Sequence, residues 1–137
     1  MTKPTFPSRT LSVPIERAPK DVYRFASNPA HLPRWATTFC TSAKREKGKW
    51  VMETSLGPVE IRLAKKNALG VLDHVIVLPR GGAQLYVPMR VVANGAGCEV
   101  IFTLFRSPRM TKKRFMEDMA LVERDLRTLK GLLEKNG

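Results

Sequence analysis

The chain has 137 residues, of which 43% are hydrophobic and 26% are charged, and these values are typical of one ordinary globular domain. They exclude a disordered or fibrous protein, and we predict a single domain over residues 1–137. Lys and Arg number 24 against 12 Asp and Glu, which gives a net charge of +12. Such a charge favours solubility and attraction to anionic partners, and it carries no information about the fold.

The cysteines and the apolar runs limit the cellular setting. Cys40 and Cys98 lie too far apart for the closely spaced pairs of a metal knuckle. The start of the sequence, MTKPTFPSRT, lacks the apolar core of a signal peptide. No apolar run approaches the roughly 18 residues that span a bilayer. We therefore expect a cytoplasmic protein with free thiols, no membrane span and no metal site.

The N-terminal region predicts one strand followed by two short helices. Apolar and polar residues alternate over residues 10–16, which is the period of a half-buried strand. Pro14 cannot donate a ladder hydrogen bond, so this strand should lie at a sheet edge or direct its proline to solvent. A helix is predicted over residues 19–26. Asn28, followed by a proline, can cap a second helix, which we expect Pro33 to end within about one turn.

The middle of the chain predicts six strands separated by turn residues, among them Gly57-Pro58 and Gly81-Gly82. The spacing is roughly ten residues per strand with short turns. It indicates an antiparallel meander, because parallel strands would need crossover helices between them. The predicted strands span residues 35–45, 49–55, 59–66, 71–78, 83–93 and 98–106.

The period changes to that of a helix after Pro108. Apolar residues recur at steps of three or four from residue 115 to residue 133. They predict one amphipathic helix of about twenty-five residues, closed by Asn136 and Gly137. Its apolar stripe should pack against the sheet.

This order of elements resembles the START-like helix-grip fold, also called the SRPBCC superfamily, which includes the polyketide cyclase and dehydrase family. The segments that carry the resemblance are SVPIERAPKDVYRF at 12–25, NP at 28–29, LPRW at 32–35 and GCEVIFTL at 97–104. The resemblance covers nearly the whole chain. It implies an α+β domain in which a curved seven-stranded antiparallel sheet, with two short helices after its first strand, wraps around the long C-terminal helix.

The resemblance also implies a mostly apolar cavity between the sheet and the last helix. Members of the superfamily bind lipids, sterols, polyketides, quinones or aromatic hormones, and some catalyse cyclisation or aromatisation. The alternative that sequence spacing leaves open is an ordinary packed core, since a sheet and an amphipathic helix must bury their apolar faces in either case.

Asp73 and His74 interrupt an otherwise apolar predicted strand. Adjacent strand residues point to opposite faces, so at most one of the two can line a cavity. If His74 points inward, its imidazole could transfer a proton or form a hydrogen bond with a ligand oxygen. The alternative is a structural histidine with a satisfied hydrogen bond. His74 is therefore the candidate catalytic residue, and whether the protein is an enzyme stays open.

Arg90 lies in another apolar segment, where burial without an anionic partner would be costly. Facing inward, it could hold a carboxylate or a phenolate of the ligand. Facing outward, it would join a solvated surface, with Asp73 or Glu99 as its partner. Large aromatic and Met side chains suit a flat hydrophobic ligand and an ordinary core equally well. The predicted ligand-binding residues are Trp35, Asp73, His74, Met89, Arg90, Phe102 and Met119.

The sequence contains no phosphate loop, dinucleotide fingerprint, nucleophile elbow or zinc spacing, so we predict no cofactor. Positive charge is concentrated in residues 106–114, with five basic and no acidic residues. This segment lacks the interleaved aromatic residues of a nucleic-acid groove, and no specific nucleic acid is expected. It could keep the protein soluble or bring it into transient contact with an anionic membrane.

Three functions are open from the sequence. The leading hypothesis is binding of a small hydrophobic or aromatic ligand, such as a lipid, polyketide or quinone-like molecule, that bears an oxygen or an acid group and is oriented by His74 and Arg90. The second is a polyketide cyclase or aromatase-type enzyme that uses His74 as a general acid or base. The third is a partner-binding or anionic-surface module that uses the basic segment at 106–114. No surface seam that would set the oligomeric state is legible.

Overall fold

The computed structural model describes residues 4–80 and 82–135, which form eight strands and three α-helices. The strands are β1 (Ser8–Ile15), β2 (Ser42–Glu46), β3 (Lys49–Thr54), β4 (Gly57–Leu63), β5 (His74–Val77), β6 (Gln84–Val87), β7 (Met89–Asn94) and β8 (Gly97–Phe105). The helices are α1 (Pro19–Ala26), α2 (Leu32–Trp35) and α3 (Lys112–Lys135), with a 3₁₀ turn at Pro29–His31. The predicted turn residue Gly81 and the predicted helix end at Asn136 and Gly137 lie outside the described residues.

The strands form two antiparallel sheets, with orders β1-β8-β7 and β2-β3-β4-β5-β6. A single seven-stranded sheet is therefore wrong for this chain. The strand predicted over residues 83–93 is divided at Pro88 into β6 and β7. Pro88 has no N–H for a ladder hydrogen bond, and only its carbonyl is used, accepting from the Thr103 amide at 3.0 Å.

Backbone hydrogen bonds join the two sheets into one wall. The Leu72 amide donates to the Met89 carbonyl at 2.8 Å, and the Val91 amide donates to the Gly70 carbonyl at 2.9 Å. Gly70 has φ of +73°, and a Cβ there would lie 2.2 Å from the Val91 carbonyl oxygen. Glycine is therefore required where the segment before β5 approaches β7.

The N-terminal region agrees with the sequence in part. β1 is an edge strand, as Pro14 indicates, and α1 has the predicted bounds. Asn28 caps the 3₁₀ turn by accepting from the Ala30 amide at 3.0 Å. Pro33 does not end the second helix: it lies in the first turn of α2, where a missing N–H costs nothing. The helix therefore runs to Trp35, and the strand predicted from residue 35 begins only at β2.

α3 and both sheets share one hydrophobic core. Leu126, Leu129 and Leu133 of α3 are buried in the same cluster as Ile15 of β1 and Met52 of β3. This is the packing that the apolar stripe predicts. Within the two described stretches, no helix is both long enough and apolar enough to cross a membrane.

The C-terminal half of α3 is also fixed to the end of β1 by polar contacts. The Lys130 ammonium donates to the Pro14 carbonyl at 2.6 Å, and Glu134 accepts from the Glu16 amide at 2.9 Å. Arg17 donates to the Leu133 carbonyl at 2.7 Å, which satisfies a carbonyl near the helix end. In the N-terminal half, by contrast, Met116 and Leu121 are 50% and 41% exposed.

Both cysteines are free and buried, in different parts of the core. Cys40 lies in the loop between α2 and β2, and burial, with a smaller contribution from Asp125, raises the pKa of its thiol to about 11. Cys98 lies in β8, where burial and nearby Glu99 also raise the pKa. These shifts stabilise the neutral thiol at physiological pH.

Candidate functional site

An apolar cavity of about 80 Å³ lies where α3, the helical segment after α1 and the concave face of the sheets meet. Trp35 and Phe39 contribute aromatic walls, and β5, β7 and β8 contribute side chains from the sheets. The volume is well below the roughly 300 Å³ at which pockets for drug-sized ligands begin. A ligand with more than a few heavy atoms must therefore widen this cavity as it binds.

His74 lines the cavity from the first position of β5 and is only 9% exposed. Its Nδ1 lies 3.0 Å from the Leu72 carbonyl oxygen. A carbonyl can only accept, so Nδ1 carries the hydrogen and donates it. Burial lowers the pKa of His74, against weaker opposing effects of the Leu72 hydrogen bond and of Asp73. The imidazole is therefore neutral at pH 7, and its Nε2 is a hydrogen-bond acceptor.

Three other predicted residues, Trp35, Met89 and Phe102, also line this cavity. The ring of Phe102 meets that of His74 edge-on, with the ring centroids 6.1 Å apart. Met119 is half-buried on α3 and is not among the residues that line the cavity. The structure thus brings four of the seven predicted ligand-binding residues together.

Asp73 and Arg90 lie outside the cavity, on the opposite face of the sheet. The Arg90 Nε and Nη2 atoms donate to the two oxygens of Asp73 at 2.9 and 2.8 Å. Asp73 also accepts from the Tyr86 hydroxyl at 3.2 Å and from the Met89 amide at 2.9 Å. The hydrogen bond from Arg90 is the main cause that lowers the pKa of Asp73 to about 2. Of the alternatives open for Arg90, the outward one with Asp73 as partner is found.

Asp125 of α3 lines the cavity and was missed by the sequence analysis. It is 5% exposed and accepts from both the amide and the hydroxyl of Thr38, at 3.1 and 2.7 Å. Burial raises the pKa of Asp125, against these two hydrogen bonds. The helical period contains the signal: Asp125 stands three residues after Val122 and four before Leu129, on the buried stripe.

The indole of Trp35 supplies a third polar group. Trp35 is 4% exposed, and its Nε1 is fully buried without a hydrogen-bond partner in the part of the chain that the structure describes. A buried unpaired donor costs about 1–3 kcal/mol. The cavity thus combines an apolar wall with an imidazole acceptor and a carboxyl group, while the indole donor of Trp35 is itself buried within the wall.

A second concavity, of about 330 Å³, opens on the surface between α1 and the end of α3. Several of its polar groups have partners inside the protein. Arg17 is bonded to Leu133, His31 Nδ1 donates to the Phe25 carbonyl at 2.9 Å, and Arg34 lies 5.1 Å from the centre of the Phe25 ring. This concavity is more open and is lined mostly by charged and polar side chains, so the apolar cavity is the better candidate site for a hydrophobic ligand.

The basic segment at 106–114 is separate from the cavity, since none of its residues lines it. Arg106 donates to the Met110 carbonyl at 2.9 Å, and Arg114 pairs with Asp118 at 3.0 Å. Lys112 and Lys113 are exposed in the first turn of α3. Two of the five basic residues are therefore engaged in contacts within the loop and the first turns of α3.

The fold is shared with several solved structures of low sequence identity. No protein-family model matches the chain, and no curated protein matches it in sequence. XoxI from Bacillus cereus is 16% identical with a TM-score of 0.76, over 95% of this chain and 98% of that one. Ara h 8.0201 is 10% identical with a TM-score of 0.67, over 92% of this chain and 96% of that one.

A third structure is the di-domain ARO/CYC BexL from the BE-7585A biosynthetic pathway, which is 15% identical with a TM-score of 0.74. The match covers 93% of this chain and 46% of BexL, about half of that protein. These likenesses confirm the helix-grip arrangement of antiparallel strands and a long C-terminal helix that the sequence predicts. At such identities they concern the fold alone.

Proposed function

We propose that this protein binds a small hydrophobic or aromatic molecule that bears an oxygen, in the cavity between the sheets and α3. One observation carries the proposal: a partly enclosed, mostly apolar cavity is lined by a neutral histidine whose Nε2 is an available acceptor. The apolar wall supplies affinity through buried area, and the histidine orients the ligand. The likeness to BexL and Ara h 8.0201 supports a fold able to enclose such a cavity.

Ligand binding requires the cavity to widen, and α3 is the element best placed to move. Its C-terminal half is tied to β1, whereas in its N-terminal half Met116 and Leu121 are about half-exposed and Phe115 is the one side chain there that is buried. Regions with few buried contacts open at low free-energy cost. We therefore expect a ligand to enter beside the first half of α3.

The test is uptake of N-phenyl-1-naphthylamine, a neutral dye that fluoresces in apolar surroundings, together with native mass spectrometry of the freshly purified protein. We expect saturable dye binding or a co-purified small molecule. Val122→Phe fills the cavity and should weaken dye binding, whereas Leu121→Phe, at a neighbouring exposed position, should not. A protein that carries nothing and binds no dye would overturn the proposal, because the space would then be a packed core.

A second candidate function is enzymatic, of the polyketide cyclase or aromatase type, with His74 as general base. The observation that favours it is the presence of two titratable groups, His74 and Asp125, on one cavity. Neutral His74 could remove a proton from the carbon next to a ketone. Burial raises the pKa of Asp125, and in its protonated form this residue could give a proton to the carbonyl oxygen, which yields the enol.

This second function is tested by following deuterium uptake at the α-carbon of 2-tetralone in D₂O by NMR. The wild-type protein should accelerate exchange above the buffer rate, and His74→Gln should abolish the acceleration. If wild-type and variant proteins leave the buffer rate unchanged, a role for His74 as base is excluded for this ketone, and binding stands alone as the proposal.

A further inference from the structure

We propose that the cavity selects a neutral, hydroxyl-bearing ligand, a phenol or an alcohol, and rejects the corresponding carboxylate. This inference rests on the proposed function and narrows its ligand class. The sequence alone left an oxygen or an acid group equally open, with Arg90 as the partner for an acid. The placement of His74, Asp125 and Arg90 decides between them.

The imidazole of His74 offers one free ring nitrogen to a ligand. Because Nδ1 of His74 donates to the Leu72 carbonyl, Nε2 is the ring nitrogen left for a ligand. No described residue hydrogen-bonds to it. A neutral Nε2 can only accept, so it pairs with an O–H donor and not with a carboxylate, which has no hydrogen to give.

The carboxyl group of Asp125 disfavours a ligand carboxylate in the cavity. It lies on the same cavity and is 5% exposed. A ligand carboxylate placed there would bring two carboxyl groups together away from water, and one of them would have to take up a proton. A neutral hydroxyl meets no such cost.

The described lining of the cavity offers no cation that would compensate the charge of a ligand carboxylate. Arg90, the cation that could have neutralised an acid, is held by two hydrogen bonds to Asp73 on the outer face of the sheet. Among the described residues that line the cavity there is no Lys or Arg.

The experiment is displacement of N-phenyl-1-naphthylamine by three ligands of nearly the same shape: 2-naphthol, 2-methylnaphthalene and 2-naphthoate. We expect 2-naphthol to bind about three- to tenfold more tightly than 2-methylnaphthalene, since one net hydrogen bond is gained. The carboxylate, 2-naphthoate, should bind at least about tenfold more weakly than 2-naphthol. The series uses the wild-type protein, so its result does not depend on whether a variant folds.

Three variants assign the preference to the residues. His74→Phe keeps an aromatic ring of similar size and should remove the advantage of 2-naphthol. Asp125→Asn removes the carboxylate and should strengthen 2-naphthoate binding relative to 2-naphthol. Arg90→Ala, outside the cavity, is the matched control and should leave all three affinities in their wild-type order. Circular dichroism and thermal melting establish that each variant is folded.

The outcomes separate the two proposals. Dye binding with equal affinity for 2-naphthol and 2-methylnaphthalene would overturn the hydroxyl preference and leave the proposed function standing. Tightest binding of 2-naphthoate, weakened by Arg90→Ala, would overturn it in favour of an acid ligand. Failure to bind the dye and all three ligands would overturn the proposed function and this inference together.

Discussion

At the scale of single residues, the site depends on which face of a strand each side chain occupies. Asp73 and His74 are neighbours, yet one forms an ion pair outside the sheet and the other lines the cavity. Side chains alternate between the two faces of a strand, so only one of these neighbours can point inward. The hydrogen bond from His74 Nδ1 to the Leu72 carbonyl fixes the tautomer of the imidazole. The position of His74 in its strand therefore determines that its side chain faces the cavity and that Nε2 is the ring nitrogen available to a ligand.

The Asp73–Arg90 ion pair should make the free energy of unfolding depend on acid pH. The folded pKa of Asp73, about 2, lies below its ordinary value of 3.8. A carboxyl with a lowered folded pKa stabilises the fold above pH 4, and this contribution is lost as the pH falls to about 2. Asp73→Asn should lower the free energy of unfolding at pH 7 by about 1 kcal/mol, since solvent screens half-exposed Arg90.

Urea denaturation of the wild type and of Asp73→Asn between pH 2 and pH 7 measures this effect. The difference between the two proteins should shrink as the pH falls below 4. Glu123→Gln is the matched control, because its pair with Arg127 is exposed on α3 and should contribute almost nothing. A difference that stays constant down to pH 2 would contradict the assignment to the ion pair.

At the scale of secondary-structure elements, the cavity wall depends on how two sheets are held together. Pro88 ends β6 and separates it from β7, while the backbone at Gly70 crosses closely beside Val91. Because the concave wall includes Met89 of β7 and His74 of β5, this junction sets the position of both. A change at the junction should therefore affect stability and ligand binding together.

Gly70→Ala should lower the free energy of unfolding by about 3 kcal/mol or more, because a Cβ meets the Val91 carbonyl and the backbone is left-handed. Gly95→Ala is the matched control. Gly95 also has a positive φ, of +58°, but its Cβ would enter open space, so the cost should be about 1 kcal/mol. Urea denaturation compares the two, and equal costs would show that the close approach is not maintained in solution.

At the scale of the whole molecule, α3 is attached asymmetrically. Contacts of Lys130 and Glu134 with β1 fix its second half, and the buried Leu129 packs in the core beside them. The first half carries exposed Met116 and borders the cavity only near its end. We expect the cavity to widen by movement of the first half, with the second half as the fixed end.

Hydrogen exchange measured by mass spectrometry tests this asymmetry. Amides of residues 114–121 should exchange faster than those of residues 126–133 in the free protein. Binding of 2-naphthol should slow exchange mainly in the first group, because the ligand orders the half that opens. Equal protection of both halves, unchanged by ligand, would contradict the proposed route of opening.

Much of the fold followed from sequence patterns. Strand alternation, Pro14 at an edge and the stripe on α3 depend on local periodicity, which the sequence contains. The division of the predicted strand at Pro88 and the start of β2 at Ser42 were not predicted. They depend on how far each strand keeps its pairing in the folded sheet, which local periodicity does not specify. The outward position of Arg90 could not be predicted, because it depends on the register of the strands. Asp125 was not predicted as a cavity residue, because acidic side chains are usually exposed.

The two buried thiols give the molecule built-in reporters of its own opening. Each is protonated and enclosed, so an alkylating reagent such as iodoacetamide reacts only when the surrounding structure separates. Cys40 lies in the α2–β2 loop beside the cavity residue Asp125, whereas Cys98 lies in β8, a strand flanked by β1 and β7. Alkylation of the first should follow the local motion that admits a ligand, and alkylation of the second should follow global unfolding. A time course of alkylation followed by mass spectrometry would therefore report both processes from the two natural cysteines.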